Sequence, residues 1–446
     1  MTTSGETVHV VGAGLAGLSA AVELAAHDRR VRLYEASRYA GGRCRSYLDA
    51  ELGCRIDNGN HLLLAGNRAA LRYLARIGAI GTLERHGDSA FPFVDAATGE
   101  RWIVRPNRGV LPWWVLSPRR RVPGTRVADY LSVLRLRRAG QSTTVTEVLG
   151  REVPLFQRLW EPLAVAALNT GAEVASARLF WRLLAATLGR GAAACRPLLP
   201  REGLSETFVD PALAWLRTQD VDIRFGARLR ALHFDANRIA ALLFDTGPTE
   251  LDAGDSLILA VPAIVAARLA PALRVPDHYS PIVNAHFRWQ PPAEAAPFIG
   301  VLGGTAQWIF RKNKVVSVTV SAADGIVDRS AEELGELLWR DVAFAYHLPA
   351  HPVPPVRIVK ERRATFLASP AQLLRRPGPR TQWSNLLLAG DYVDTGWPAT
   401  IEGAIDSGVA AANEALRPPP GAPERRRRSP LGEATRAEGE LERALQ

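Results

Sequence analysis

The sequence predicts an α/β fold, in which a Rossmann-type dinucleotide-binding domain is interrupted by a second, discontinuous α+β domain. Three observations predict it. A glycine-rich loop separates an apolar stretch at residues 8–11 from a helical pattern at residues 15–27. A second apolar stretch, residues 31–35, ends on a carboxylate, Glu35. A third apolar stretch runs into a Gly-Asp pair at Gly390, near the other end of the chain. One domain assembled from distant parts of the chain accounts for this arrangement.

The first glycine segment has the spacing of a phosphate-binding loop. Gly12 permits a tight turn, Gly14 lets a pyrophosphate approach the backbone, and Gly17 lets helix and strand pack closely. The N-terminus of the helix offers N–H groups and a positive dipole end to the phosphates. The residues predicted to bind a dinucleotide here are Gly12, Ala13, Gly14, Leu15, Ala16 and Gly17.

Two further features support this first cofactor-binding segment, which we call the first anchor. Glu35 stands where a carboxylate binds ribose hydroxyls, and its charge would repel the 2′-phosphate of NADP. Gly41 and Gly42 would carry the chain close past the pyrophosphate, with Arg43 available to offset its charge.

The second anchor indicates FAD, because a cofactor of that length needs two separate binding segments. Residues 385–391 have the pattern of a buried strand that ends in a turn, and residues 400–416 that of a helix. Asp391 would accept hydrogen bonds from the ribitol, and a helix starting after Pro398 would direct its dipole at the flavin, where charge accumulates on reduction. The predicted contacts are Gly390, Asp391, Thr400, Ile401 and Glu402. No cysteine lies in an attachment motif, so non-covalent binding is expected.

Together these residues resemble the superfamily of flavin-dependent amine oxidases and phytoene desaturases. The segment Ile56-Asp-Asn-Gly-Asn-His61-Leu-Leu-Leu64 narrows the resemblance. Carotenoid desaturases usually have Gly-Gly or Gly-Pro before the histidine, whereas the form here is similar to the hydroxysqualene dehydroxylases, squalene-associated flavoenzymes of bacterial hopanoid synthesis. Residues 159–170 and 394–404 are similar to that family as well. The resemblance covers about residues 7–417.

The resemblance implies a reductive reaction. Reduced FAD would deliver a hydride from N5 to an allylic alcohol of squalene size, after protonation of the hydroxyl, and release water and squalene. Asp394 is the favoured proton donor. His61 and Asp57 are further catalytic candidates, and Glu402 lies in a segment that is also expected near the flavin. Asn60, His61 and Leu229 are implied as additional cofactor contacts. Trp160, Phe180, Trp181 and Trp308 are either core residues or aromatic faces that stabilise the allylic cation.

The resemblance also implies how the chain is divided. The FAD-binding domain takes residues 1–90, 203–265 and 376–417, and the substrate and membrane-contact domain takes residues 91–202 and 266–375. Residues 418–446 combine prolines with mixed charges and are predicted to be a disordered tail.

The positive charge is concentrated in one segment. The whole chain has a formal net charge of +10, and residues 101–138 alone hold ten arginines against one acid, Asp129. The adjacent Trp113 and Trp114, among aliphatic residues and arginines, favour contact with an anionic membrane surface. The alternative places these tryptophans in the core or along a substrate tunnel, with the arginines in water. No nucleic-acid-binding motif accompanies the charge.

Several other classes of protein are disfavoured. No apolar run reaches the ~18 residues of a spanning helix, and three cysteines are too few for a disulfide framework or a cysteine-rich metal site. We therefore expect a cytoplasmic protein, peripheral to the membrane, with other squalene-pathway enzymes as candidate partners. The alternatives are a carotenoid-type desaturase, a flavin-binding membrane scaffold without chemistry and, less favoured, an amine oxidase. Lys312, Lys314 and Lys360 lie in no recognisable flavin-contacting motif.

Overall fold

The computed structural model describes residues 6–86, 89–292, 294–312 and 314–417, so the predicted tail at 418–446 lies outside the described residues. The strands, in chain order, are β1 (Thr7–Val11), β2 (Arg30–Glu35), β3 (Ser46–Asp49), β4 (Cys54–Asp57), β5 (Leu63–Leu64), β6 (Leu83–Arg85), β7 (Phe91–Asp95), β8 (Arg101–Val104), β9 (Pro197–Pro200), β10 (Asp222–Phe225), β11 (Leu229–Asp235), β12 (Arg238–Phe244), β13 (Gly247–Glu250), β14 (Ser256–Leu259), β15 (Tyr279–Phe287), β16 (Phe298–Leu302), β17 (Trp308–Lys312), β18 (Val315–Val320), β19 (Val356–Phe366) and β20 (Leu386–Leu388). The α-helices are α1 (Leu15–Ala25), α2 (Arg68–Arg76), α3 (Val127–Leu131), α4 (Val145–Leu149), α5 (Glu161–Leu168), α6 (Ala177–Ala186), α7 (Ala192–Cys195), α8 (Asp210–Thr218), α9 (Ala263–Leu269), α10 (Ala331–Tyr346), α11 (Pro370–Leu373) and α12 (Ile401–Ala415).

A parallel sheet of five strands, in the order β10-β2-β1-β14-β20, forms the first half of the fold. In the middle of this sheet Val10 lies between Leu33 and Ile258. Strands β1, β14 and β20 consist mostly of Val, Leu and Ile, as expected for strands that are covered on both faces. The predicted strands at residues 8–11, 31–35 and 385–391 are confirmed, and with them the Rossmann-type α/β fold.

Helices α1 and α12 pack on this sheet and on each other. A Cβ atom at Gly408 of α12 would lie only 2.0 Å from the backbone oxygen of Ala16 in α1. The Ser19 hydroxyl donates a hydrogen bond of 3.0 Å to the Ile405 carbonyl across the same contact. This close crossing brings the helix of the second predicted anchor against the helix of the first.

A mixed sheet of seven strands, in the order β19-β15-β18-β17-β16-β7-β8, forms the second half. Its neighbours are antiparallel except for β7 and β16, which run parallel. Helix α10 packs on this sheet through Trp339, whose ring centroid lies 5.1 Å from that of Phe287. Smaller sheets (β3-β4, β5-β9-β6 and β11-β12-β13) complete the described strands.

The region between β8 and β9 is helical. Within it, α3 ends at Leu131 and a 3₁₀ segment, Ser132–Arg138, follows. The Ser132 hydroxyl donates to the Asp129 carbonyl at 2.6 Å, a local bond that competes with regular helix.

Asn169, which lies in one of the segments that carry the family resemblance, connects two parts of the fold. It ends α5 with φ +47°, and its amide nitrogen donates to the Ser280 carbonyl and to the Thr365 hydroxyl. Its side-chain oxygen accepts from the Ala322 N–H at 2.7 Å. Asn169 therefore joins the helical region to the seven-stranded sheet, a structural task rather than a chemical one.

Both halves are assembled from distant parts of the chain. Strands from residues 7–35, 222–225, 256–259 and 386–388 share the parallel sheet, and strands from residues 91–104 and 279–366 share the mixed one. The exact domain boundaries stay a prediction. No helix in the described ranges is both long and apolar enough to traverse a bilayer.

Candidate functional site

The glycine loop between β1 and α1 has the geometry that phosphate binding requires. A Cβ at Gly12 would lie 2.4 Å from the Ala260 carbonyl oxygen, and one at Gly17 would lie 1.8 Å from that of Gly12. Both positions are therefore closed to larger residues. A Cβ at Gly14, in contrast, would meet nothing within 4 Å. The loop thus leaves open space at the position where a ligand is predicted to approach the backbone.

Glu35 ends β2 beside this loop. Its two carboxylate oxygens accept hydrogen bonds of 2.8 Å from the backbone N–H groups of Ala13 and Ser37. Each oxygen retains a lone pair for a further donor such as a ribose hydroxyl. Ala227 donates to the Glu35 carbonyl at 2.9 Å, so the segment that leads to Leu229 passes the same strand end.

The glycine pair Gly41-Gly42 lies against the loop between β1 and α1. Gly41 donates its N–H to the Ala13 carbonyl at 2.7 Å, and both Gly41 and Gly42 have positive φ angles, +100° and +58°. Arg43 follows, and its guanidinium donates to Asp391 Oδ1 at 2.8 Å and to the Ala364 carbonyl. Asp391, opposed by burial, raises the pKa of Arg43. The two anchors are therefore joined by an ion pair that the sequence did not indicate.

The second anchor places a helix start next to that ion pair. Gly390, with φ +151°, donates its N–H to the Ser407 hydroxyl at 2.8 Å. Thr400 caps α12, because its hydroxyl accepts from the Gly403 N–H at 3.1 Å. The helix starts at Ile401, in line with the prediction of a start shortly after Pro398.

The Glu402 side chain has partners in α2. It is only 4% exposed, and its carboxylate accepts hydrogen bonds of 2.9 Å from the N–H groups of Ala69 and Ala70 in the first turn of α2. Burial raises its pKa to about 7, against the effect of these two donors. The carboxylate is thus bound to α2, and the cofactor contact at Glu402 stays a prediction.

Asp57 is also bound within the fold. It is 3% exposed, pairs with Lys312, and accepts from the Ser46 hydroxyl at 2.6 Å and the Leu204 N–H at 2.9 Å. Burial favours a higher pKa for Asp57, but Lys312 and these hydrogen bonds outweigh it and hold the pKa below its ordinary value. A carboxylate held ionised in this way does not suit the catalytic role predicted for it. It braces the start of the loop that carries His61.

His61 and Asn60 lie on that loop. Burial lowers the pKa of His61 to about 4, so the ring is neutral at physiological pH. The Asn60 amide nitrogen donates to the Thr319 hydroxyl at 3.0 Å. Its oxygen is buried with no hydrogen-bond partner in the part of the chain that the structure describes. An orphaned buried oxygen indicates a missing donor, as a cofactor contact at Asn60 would supply.

Asp394 is exposed. Its Oδ1 accepts from the Gly396 N–H at 3.0 Å and lies 3.6 Å from the guanidinium of Arg376. Arg376 is buried and donates to the carbonyls of Asp391, Tyr392 and Val393. Sequence reasoning missed this arginine, because in the Arg-Arg-Pro context of residues 375–377 nothing distinguishes it from a surface charge.

Three of the four aromatic candidates are core residues. Phe180 is fully buried, Trp160 contacts Tyr130 edge-on, and Trp308 packs against Phe93 with ring centroids 5.6 Å apart. Trp181 is only partly buried. The packing accounts for the first three without any role in catalysis.

In the arginine-rich surface, residues 101–138, the two adjacent tryptophans differ in burial. Trp114 is buried against Tyr130, while Trp113 is 63% exposed. Asn107 orders the loop, because its side chain accepts from the Trp114 N–H and donates to the Leu111 carbonyl, both at 2.9 Å. The exposed large apolar residues of this surface are Ile103, Val110, Leu111, Trp113, Leu116, Leu131 and Leu134. The exposed arginines are Arg101, Arg105, Arg108, Arg119, Arg120, Arg126, Arg135, Arg137 and Arg138.

A family model and curated relatives both match most of this chain. The family described as "Flavin containing amine oxidoreductase" matches residues 15–416. Curated relatives named hydroxysqualene dehydroxylase are 43% identical in Zymomonas mobilis and 44% identical in Rhodopseudomonas palustris, and each alignment covers 92% of this chain and 98% of the relative.

Solved structures share the fold. A putrescine oxidase superposes with a TM-score of 0.68 at 16% identity, covering 92% of this chain and 99% of the other. A cyclohexylamine oxidase from Brevibacterium oxydans gives 0.69 at 14% identity, with coverages of 92% and 98%. At these identities the likeness shows the fold alone.

Proposed function

The chain belongs to the flavin-containing amine oxidoreductase family, and within it to the hydroxysqualene dehydroxylases, and on that premise we propose that it reduces hydroxysqualene to squalene. It is an FAD-dependent oxidoreductase. The observation that carries the proposed substrate is the 43–44% identity to these relatives over nearly their whole length. Squalene supply for bacterial hopanoid synthesis is the corresponding biological role.

The residues of the chain suit FAD. Open space at Gly14, two free lone pairs on Glu35, the unpartnered oxygen of Asn60 and the capped start of α12 supply contacts for phosphates, ribose and flavin in turn. When bound and reduced, FAD supplies the two electrons of the reaction as a hydride. The protein supplies binding, orientation and the proton.

The proton is needed because hydroxide is a poor leaving group. Of the candidates, Asp57 is held ionised by Lys312, Glu402 is bound to α2, and His61 is neutral. Asp394 remains, exposed and bonded through one oxygen. We retain it as the proton donor. Asp394→Asn should then abolish turnover while FAD stays bound, and normal turnover would end this assignment.

The function is tested by a single turnover without oxygen. The FAD-loaded protein is reduced, hydroxysqualene is added in liposomes, and flavin absorbance and products are followed together. Reoxidation with one squalene per flavin is expected. Flavin that stays reduced contradicts the proposal, and reduction of oxidised flavin by a phytoene-like hydrocarbon would replace it with a desaturase. A flavin spectrum that responds to no polyprenoid would indicate a scaffold without chemistry.

The arginine-rich surface is the proposed membrane contact. Its exposed apolar side chains are held in an ordered loop, since the Ala192 N–H also donates to the Asn107 carbonyl at 2.9 Å. The surrounding arginines complement anionic lipid headgroups, and exposed Trp113 suits headgroup depth. We place the protein at the inner face of the membrane, where docked squalene-pathway enzymes could pass on its substrate.

One helix connects this surface with the cofactor segment. Helix α6 packs against residues 132–138 on one side. Its Arg182 lies against the second anchor, where a Cβ at Gly396 would be 1.6 Å from the guanidinium. Helix α6 therefore contacts both the proposed membrane surface and the cofactor segment.

A further inference from the structure

A cavity of about 550 Å³ lies where the β3–β4 hairpin meets the seven-stranded sheet. Ser46, Asp57 and Lys312 form one part of its wall, and Glu202, Gln290 and Lys314 another. Gln290 and Lys314 are exposed, whereas Asp57 is buried, so the cavity leads from the surface to the ion pair of Asp57 and Lys312.

His286 lines this cavity. It is 1% exposed and bonds through Nδ1 to the Ser317 hydroxyl at 2.7 Å. Its Nε2 is buried and makes no hydrogen bond of good geometry among the described residues, although the Asp57 backbone lies within reach of the ring. A buried ring nitrogen without a well-formed protein hydrogen bond is normally satisfied by water, and a volume of ~30 Å³ per water molecule leaves room for a chain of them.

The inner end of the cavity is close to the predicted flavin loop. Asp57 is four residues before His61, and the charges of Asp57 and Lys312 are near enough to influence the His61 pKa. Asn60 on the same loop carries the unpartnered buried oxygen. A water chain that ends at Asp57 and Lys312 therefore ends beside the proposed reaction centre.

The proposed reaction needs such a supply. When hydroxysqualene is reduced, the C–O bond breaks, the carbon receives a hydride, and the oxygen leaves as water after taking one proton. An external donor must then reduce FAD again, and if it supplies electrons without a hydride, this step takes up another proton from solvent. With such a donor, two protons per cycle have to reach a site that excludes bulk water.

We propose that this cavity is the route by which solvent protons reach the flavin site, with His286 as the positioning residue that orders its water. The inference rests on the proposed FAD site but not on the identity of the substrate. Asp57 and Lys312 form the inner end of the route, which gives this buried pair a task besides bracing the loop.

Cys54 provides a way to block the route. It lines the cavity and is partly exposed, whereas Cys44 and Cys195 are 6% and 1% exposed. N-Phenylmaleimide should therefore label Cys54 selectively and place a phenyl group in the cavity. The matched control is Cys54→Ser treated with the same reagent.

The measurement is proton uptake by the FAD-loaded protein after flash photoreduction, followed with a pH-indicator dye, and no substrate is required. Labelling should slow proton uptake by at least about tenfold, with the bound-flavin spectrum retained and the Cys54→Ser control unaffected. His286→Phe, which removes this buried nitrogen, should slow it in the same direction.

Proton uptake at the unlabelled rate in both the labelled protein and His286→Phe would overturn the inference. Failure of the proposed function is distinguishable from this result. It would show as absent hydroxysqualene turnover in a protein whose proton uptake is normal and is still blocked by the label.

Discussion

Glu402 connects two helices that are more than three hundred residues apart in the chain. Its carboxylate caps α2 from the first turn of α12, so the helix of the second anchor also fixes the helix that follows the His61 loop. A buried carboxyl with two N–H donors is a stable arrangement whose charge state depends on pH.

The pH dependence has a definite sign. The pKa of Glu402 is raised from 4.5 to about 7 in the folded chain. Between these values the folded chain binds more protons than the unfolded chain, so this group makes stability fall as pH rises. Glu402→Gln cannot titrate. Denaturant unfolding from pH 5 to pH 8 should therefore show wild type losing up to about 3 kcal/mol relative to the variant. A difference that does not change with pH would contradict the assignment.

The ion pair of Arg43 and Asp391 yields a second prediction at this scale. Asp391→Asn removes the charge opposite Arg43 and weakens the join between the two anchors. We expect FAD affinity to fall by about tenfold, as for loss of a charge-assisted hydrogen bond. Equilibrium titration of the apoprotein with FAD measures it. Asp245→Asn, which breaks the surface pair with Arg230, is the matched control and should bind FAD normally.

At the scale of elements, the crossing of α1 and α12 determines where both anchors lie. Gly408→Ala would place a methyl group 2.0 Å from the Ala16 oxygen and 2.1 Å from the Ser19 hydroxyl. The helices must separate, which should cost about 1–3 kcal/mol of stability and weaken FAD binding. Thermal unfolding and FAD titration test both effects.

Gly81→Ala is the control for this variant. Gly81 is exposed, and a Cβ there would meet nothing within 4 Å. Wild-type stability in Gly408→Ala would show that the two helices are not in the contact described.

The sequence predicted the elements better than the contacts between them. Strands such as β1 and β20 and the start of α12 follow from local apolar runs, glycines and a capping threonine, which are all visible in a short window. The partner of Glu402 was not predictable, because Ala69 and Ala70 carry no sign of the distant carboxylate that caps them. The pairing of Lys312 with Asp57 was not predictable either, because the two residues meet only when the β3–β4 hairpin packs against the seven-stranded sheet.

At the scale of the whole molecule, the arginine-rich surface and the cofactor segment both contact α6. Trp113→Ser together with Leu111→Ser should lower binding to phosphatidylglycerol-containing vesicles by about tenfold or more, since two large apolar side chains leave the interface. Vesicle co-sedimentation measures this. Leu374→Ser, equally exposed at 63% but outside this surface, should bind as wild type does. Equal losses in both variants would remove the membrane assignment from residues 101–138.

The central claim is that reduced FAD gives its hydride to the carbon that loses the hydroxyl. The N5 hydrogen of reduced flavin exchanges with solvent, so FAD-loaded protein reduced in D₂O carries deuterium at N5. After one turnover with hydroxysqualene, mass spectrometry should find squalene with one deuterium per molecule. Squalene without deuterium, or no squalene while the flavin stays reduced, would contradict the account.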